Sequence, residues 1–186
     1  ADAMGRLNRS VVDALLAAGI NAISVQPSAS ARARGGLLHM LDTATIERLL
    51  AVQLVPVVYG DVVLDDAQGA AIVSTEALFE YLAPRLQPER IVLVGEAAVF
   101  TADPRRDPDA VRIAHITAAN IETVLQQAGA SHGTDVTGGM AAKVRQMWRL
   151  VEAAPGLEIQ IVGTEPEILR RALRGEAVDE GTIIKG

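Results

Sequence analysis

Two runs of this chain, "LVPVVYGD" (54–61) and "RIVLVG" (90–95), are apolar almost without interruption, and "LEIQIVG" (157–163) reads as a further strand. No other feature constrains the fold as much. A strand with one wet face alternates apolar and polar residues, whereas a continuous run suits a strand covered on both sides. Helical patterns lie around these runs. "LNRSVVDALLAAGI" puts Leu7, Val11, Val12, Leu15 and Leu16 on one stripe closed by Gly19. "TATIERLLAVQ" reads as a short helix with Thr43 or Thr45 as its N-cap, and Ser74 can cap "TEALFEYLAPRL". "IAHITAANIETVLQQAG" and "MAAKVRQMWRLVEAA" also read as helices, the second with Met140, Val144, Met147, Trp148 and Val151 on one face. "EPEILRRALRG" is the last helix, and "NAISVQP" and "GTIIKG" are short strands. "VVLDDAQGAAIV" predicts a hairpin turning at "DDAQG", and "SASARARGGLLHMLD" reads as a mobile loop or lid. This alternation predicts an α/β fold: a three-layer αβα sandwich on a mainly parallel central sheet, as a single domain over residues 1–186.

Composition narrows the function. The 186 residues suffice for one full-sized core, and 49% hydrophobic residues with only 3% aromatics suit small aliphatics packing helices on a sheet. With no cysteine, disulfides, thiolate nucleophiles and cysteine-based zinc sites are excluded. A net charge of −6 argues against non-specific binding to nucleic acid or anionic membrane. No apolar run approaches the roughly 20 residues of a membrane span. A soluble, cytoplasmic protein is the expectation.

"GTDVTGGMAAKV" (133–144) sets glycines, threonines and Asp135 before a helix. Helix N-termini expose unpaired N–H groups and attract anions, and Gly138 and Gly139 let a ligand approach the backbone. Lys143, one turn in, can reach an anion held there, because helical side chains lean towards the N-terminus. The arrangement is not a P-loop, since the lysine lies inside the helix. An ordinary glycine-rich connection with a solvated lysine fits the same spacing. Gly60 and Asp61 follow a buried strand, where open α/β sheets bind ligands, or they simply serve a turn. Ser74, Thr75 and Glu76 offer hydroxyls and a carboxylate at a helix start, or only cap it. "FTADPRRDP" carries Asp103 in an Asp-Pro turn beside Arg105 and Arg106, either a phosphate clamp or solvated loop residues. His39, His115 and His132 show no metal-ligand spacing, and His115 reads as structural within its helix. No G-x-S-x-G motif and no glycosidase-like carboxylate dyad is present.

Taken in order, "PVVYGDVVLD", "AIVSTEALFEYLA", "VFTADP", "DVTGGMAAKV" and "GTII" resemble the amino-acid kinase superfamily, and "YGDV…STE" with "QPSA" points to its isopentenyl phosphate kinase branch. The resemblance implies an ATP-dependent kinase with magnesium, making isopentenyl diphosphate from isopentenyl phosphate, as a homodimer. Fosfomycin-type kinases share "DVTGGM", and a non-catalytic nucleotide-binding module of the same fold is the alternative from another class. Lys143 and Glu76 would then be catalytic. Glu96, Phe100 and Asp103 would hold the adenosine end, and Asp135, Gly138, Gly139 and Lys143 the phosphates. Gly60, Asp61, Ser74 and Thr75 would serve the acceptor. The superfamily's opening strand, its lysine-bearing glycine loop and its second glycine loop with a histidine find no match here. "GEAAVFTADP" is one residue short and lacks an Asp-Gly pair. A chain without those pieces is expected to bind ATP weakly and not to turn over.

Overall fold

The computed structural model describes residues 2–130, 139–176 and 178–186. Its contacts gather into two compact units, Ala1–Leu86 and Gln87–Gly186, where the sequence reading has one domain.

The first unit opens with helix α1 (Asp2–Ala17), which Gly19 terminates in the left-handed conformation at φ 78°. Strand β1 (Ala22–Val25) leads into a single 3₁₀ turn, Pro27–Ala29, and then to β2 (Arg32–Arg34) and β3 (Leu37–Met40). Helix α2 (Ala44–Ala51), β4 (Val55–Val58), β5 (Asp61–Asp65), β6 (Gly69–Val73) and helix α3 (Thr75–Leu86) complete it. Strand β1 pairs parallel with β4, and the other four form a sheet in the order β3-β2-β5-β6. Alternation along β5 turns Val63 inward and Val62 and Leu64 outward. Val63 joins Ala31, Ala33, Leu41, Ala71, Val73 and Leu78 in a core that Leu38, Tyr81 and Leu82 flank.

The structure corrects the sequence reading at three places here. The expected lid, 28–42, is a hairpin of β2 and β3 turning at Gly35 and Gly36, both at positive φ (59° and 84°). Paired left-handed residues are what a two-residue hairpin turn needs, so the glycines encode a turn rather than a loose loop. Helix α2 is capped neither by Thr43 nor by Thr45. The Asp42 carboxylate accepts from the Ala44 N–H at 3.0 Å and the Thr45 hydroxyl at 2.8 Å. Strand β4 is half-buried rather than covered on both faces, and Val55 is exposed.

The second unit carries β7 (Arg90–Val94), a short hairpin of β8 (Val99–Phe100) and β9 (Arg112–Ile113), and β10 (His115–Ile116). Helices α4 (Ile121–Ala130) and α5 (Gly139–Ala153) follow, then β11 (Glu158–Val162), α6 (Pro166–Arg174) and β12 (Thr182–Lys185). The sheet runs β10-β12-β11-β7; β11 is parallel to β7 and antiparallel to β12, and β12 is parallel to β10. Ile159, Ile161, Val162 and Ile184 are fully buried in it. Helix α5 packs on β11 and β12 through the stripe Ala141, Val144, Met147, Leu150 and Val151, while Met140 and Trp148 are half-buried.

The helix predicted from Ile113 to Gly129 starts only at Ile121. Residues 112–116 are extended, and Asn120 fixes the turn after them: its side chain accepts from the Thr117 N–H and donates to the His115 carbonyl, each at 2.8 Å. An asparagine that bonds nearby backbone competes with helix formation. His115 is therefore an exposed strand residue, not a structural histidine in a helix. Strand β7 is likewise less covered than its apolar sequence suggested, with Ile91 buried and Val94 exposed.

Candidate active site

In the first unit the candidate residues cluster at the open end of one hairpin. Asp61 begins β5 and faces Val73, the last residue of β6, in the strand register. Ser74 and Thr75, both exposed, and half-buried Glu76 follow at the head of α3. The Ser74 hydroxyl accepts from the Ala77 N–H at 3.2 Å, so Ser74 caps the helix as the sequence suggested. Gly60 is buried, and a Cβ there would sit 3.1 Å from the Val73 carbonyl oxygen. Larger residues at 60 would push the strand end away from the start of α3.

Asp61 is buried and takes hydrogen bonds from the Ser28 N–H at 3.2 Å and its own neighbour Val62 N–H at 2.8 Å. Burial would raise its pKa. The Ser28 hydroxyl, the two backbone N–H groups and the Gln26 side chain outweigh that and hold it below the usual carboxylate range. Gln26 also donates to the Ser28 hydroxyl at 2.7 Å. Thus "QPSA" and "YGDV", separate on the sequence, form one hydrogen-bonded corner. Beside it, burial first and the Asp61 charge second push the Tyr59 hydroxyl upwards.

In the second unit, Gly139 opens α5 at φ 56° and half-buried Lys143 sits one turn in, as the spacing predicted. Asp135, Gly138 and His132 lie outside the described residues. Glu96 is exposed and Phe100 half-buried at the end of β8. Asp103 organises its own turn: its carboxylate accepts from the Arg105 N–H at 3.0 Å, and its carbonyl accepts from Arg106 and Asp107. Arg106 pairs with Asp103 at 3.7 Å, which ties one arginine of the suspected clamp to a carboxylate.

Sequence reasoning missed the residues that hold these loops. Thr182, fully buried, bridges the Val99 N–H and the Ile113 carbonyl. Gly181 stands at φ 100° with a Cβ position only 2.3 Å from the Ile161 carbonyl oxygen. Asn8, buried in α1, donates to the Val57 carbonyl at 3.2 Å and accepts from the Ser24 hydroxyl at 2.5 Å, joining α1 to β1 and β4. "GTII" signalled Thr182 only as a matching string; a polar residue inside an apolar strand was the available physical cue.

The profile of the amino acid kinase family matches residues 1–163. The chain belongs to the amino acid kinase family. Isopentenyl phosphate kinase from Methanothermobacter thermautotrophicus is 40% identical over 97% of this chain, and that from Haloferax volcanii is 40% identical over all of it. A solved structure of isopentenyl phosphate kinase superposes on 97% of the chain with a TM-score of 0.79 at 36% identity. The chain spans 67% and 68% of the two relatives' lengths and 66% of the solved one. The amino acid kinase fold expected from the sequence is thereby established, with helices on mixed sheets that contain parallel pairs.

Proposed function

We propose that this chain serves the ATP-dependent phosphorylation of isopentenyl phosphate to isopentenyl diphosphate. The observation that carries the reading is 40% identity to two isopentenyl phosphate kinases, sustained along essentially the whole chain. Phosphoryl transfer asks a protein chiefly for positioning and charge neutralisation. Lys143, one turn into α5, supplies a fixed cation for the transferred group. Gly139, with Asp135 and Gly138 before it, brings backbone N–H groups to the phosphates at the positive end of a helix. Glu96, Phe100 and Asp103 hold the adenosine end. Ser74, Thr75 and Glu76 attend the acceptor, the Glu76 carboxylate orienting nearby cationic groups. Gly60 and Asp61 serve the same end. The Asp61 oxygens accept from the Ser28 and Val62 N–H groups, which fixes the corner and leaves the carboxylate acceptor capacity for the substrate end.

Magnesium belongs to the same proposal. It would arrive on the nucleotide's phosphates and keep several of its waters. When bound it would screen the phosphate charges. A cytoplasmic homodimer completes the reading; it draws on the resemblance and on the exposed apolar side chains Met4, Leu7 and Val11 of α1, which a second copy could cover. Among the described residues no helix is long and apolar enough to cross a membrane.

Steady-state turnover of the full-length protein that carries this chain, with isopentenyl phosphate and fosfomycin side by side, tests the acceptor. The first should be preferred by about a hundredfold or more in kcat/KM, the discrimination expected of a site built around one ligand's polar groups. Preference for fosfomycin overturns the acceptor assignment, and ATP binding without turnover of either favours the non-catalytic module. Lys143→Ala should lower kcat by roughly 10²–10³-fold, as removal of one group that stabilises transition-state charge does. Its Tm should move by only a degree or two, because a half-exposed helix lysine adds little to a core. A variant that simply unfolds would remove this role from Lys143.

A further inference from the structure

We infer that Thr182 is the positioning residue for the nucleotide loop, setting ATP affinity from beneath the loop without touching the nucleotide. This rests on the reading of residues 96–103 as the holder of the adenosine end. The Thr182 side chain is wholly buried; its hydroxyl donates to the Ile113 carbonyl at 2.7 Å and accepts from the Val99 N–H at 2.8 Å. Val99 and Ile113 face each other as one of the two residue pairs of the β8–β9 hairpin, the other being Phe100 with Arg112. A two-pair ribbon has little stability of its own. Both of its strands are instead tied to the 181–182 step, since the Arg112 guanidinium donates to the Gly181 carbonyl at 2.6 Å. That step is itself fixed. At φ 100°, Gly181 presses so close to β11 that its Cβ position lies 2.3 Å from the Ile161 carbonyl oxygen. The hydroxyl therefore transmits the position of a rigid strand to Phe100 and the Asp103 turn. A valine would fill the same volume but strand the Val99 N–H and the Ile113 carbonyl, and a buried group without its partner pulls the local backbone towards other arrangements.

The test measures, by calorimetric titration of the intact protein, affinity for ATP and for isopentenyl phosphate in Thr182→Val, Thr182→Ser and Phe100→Ala, with hydrogen exchange at the Val99 amide. Thr182→Val should weaken ATP about tenfold, the equivalent of one lost buried hydrogen bond. It should leave acceptor affinity unchanged and speed exchange at Val99, and Thr182→Ser should restore both ATP affinity and protection. Unchanged ATP affinity in the valine variant overturns the proposal. So does a parallel loss of both ligands that serine does not rescue, since that is the mark of general destabilisation. Phe100→Ala separates the two layers. If it leaves ATP binding intact, the loop does not hold the nucleotide and the underlying reading falls together with the proposal. If it weakens ATP while Thr182→Val does not, the reading stands and only the role of Thr182 falls.

Discussion

At the scale of single residues, Asp65 does more than its place in a turn suggests. "DDAQG" announced a turn, and the hairpin formed there as predicted. Nothing local announced that the Asp65 carboxylate would also accept from the N–H groups of Gly35 at 3.0 Å and Gly36 at 2.7 Å, besides those of Ala67 and Gln68. Burial would raise its pKa, but four backbone donors bring it down to about 2. Folding thus lowers the pKa, so the stabilisation is complete above the unfolded value near 3.8 and drains away as pH falls towards 2. A denaturant series from pH 5 to pH 2 should show this acid-limb loss in the wild type and a much flatter limb in Asp65→Asn. At neutral pH that variant should melt several degrees lower, of the order of 5 °C, because the amide offers one acceptor where two were used. Lys143, in contrast, was legible because its relation to Gly139 is purely helical spacing. The bonds of Thr182, and that of Asp61 to Ser28, were not, because those partners lie tens of residues away and only the fold brings them together.

At the scale of elements, the sequence was reliable where a period was long and misleading where a few residues decided the matter. The hairpin of β5 and β6 came out as read, whereas the stripe of α5 kept Val144, Met147 and Val151 but buries Ala141 and Leu150 in place of Met140 and Trp148. The supposed lid became β2 and β3 because two glycines took left-handed conformations, and α4 began late because Asn120 held the preceding turn. The cap of α2 moved from a threonine to Asp42, which lies one residue further from the helix and still reaches its first N–H. Asp42→Ala should therefore cost about 1 kcal/mol in chemical denaturation, and Thr43→Ala much less. Glycines with similar φ should separate by environment. At Gly19 (φ 78°) an added Cβ meets open space, so alanine should cost about 1 kcal/mol from backbone strain alone. At Gly181 it meets the Ile161 carbonyl at 2.3 Å, and alanine should cost on the order of 3 kcal/mol or more in the same titration.

At the scale of the molecule, large fully buried side chains are unevenly shared. Ile116, Met147, Ile159, Ile161, Ile184, Val99, Val144 and Val162 belong to the second unit, whereas the first contributes Ile46, Leu78, Val63 and Val73. Amides of β11 should accordingly resist hydrogen exchange longest, with opening energies near the global value, and those of the β1–β4 pair should open first. Faster exchange in β11 than in β4 would show that burial misjudges where cohesion resides. The composition bounded this molecule's chemistry from outside, through its charge and its lack of cysteine, but the division into units follows from contacts that no compositional figure contains. The Asp65 latch has one more consequence. Because a single carboxylate closes the turns of both hairpins in the first unit, residues 35–36 and 65–68 form an epistatic set. Substitutions in one turn should change which substitutions the other tolerates, and a double-mutant cycle across the pair should be non-additive. A library that diversifies either turn alone would explore neighbours that the other turn has already ruled out.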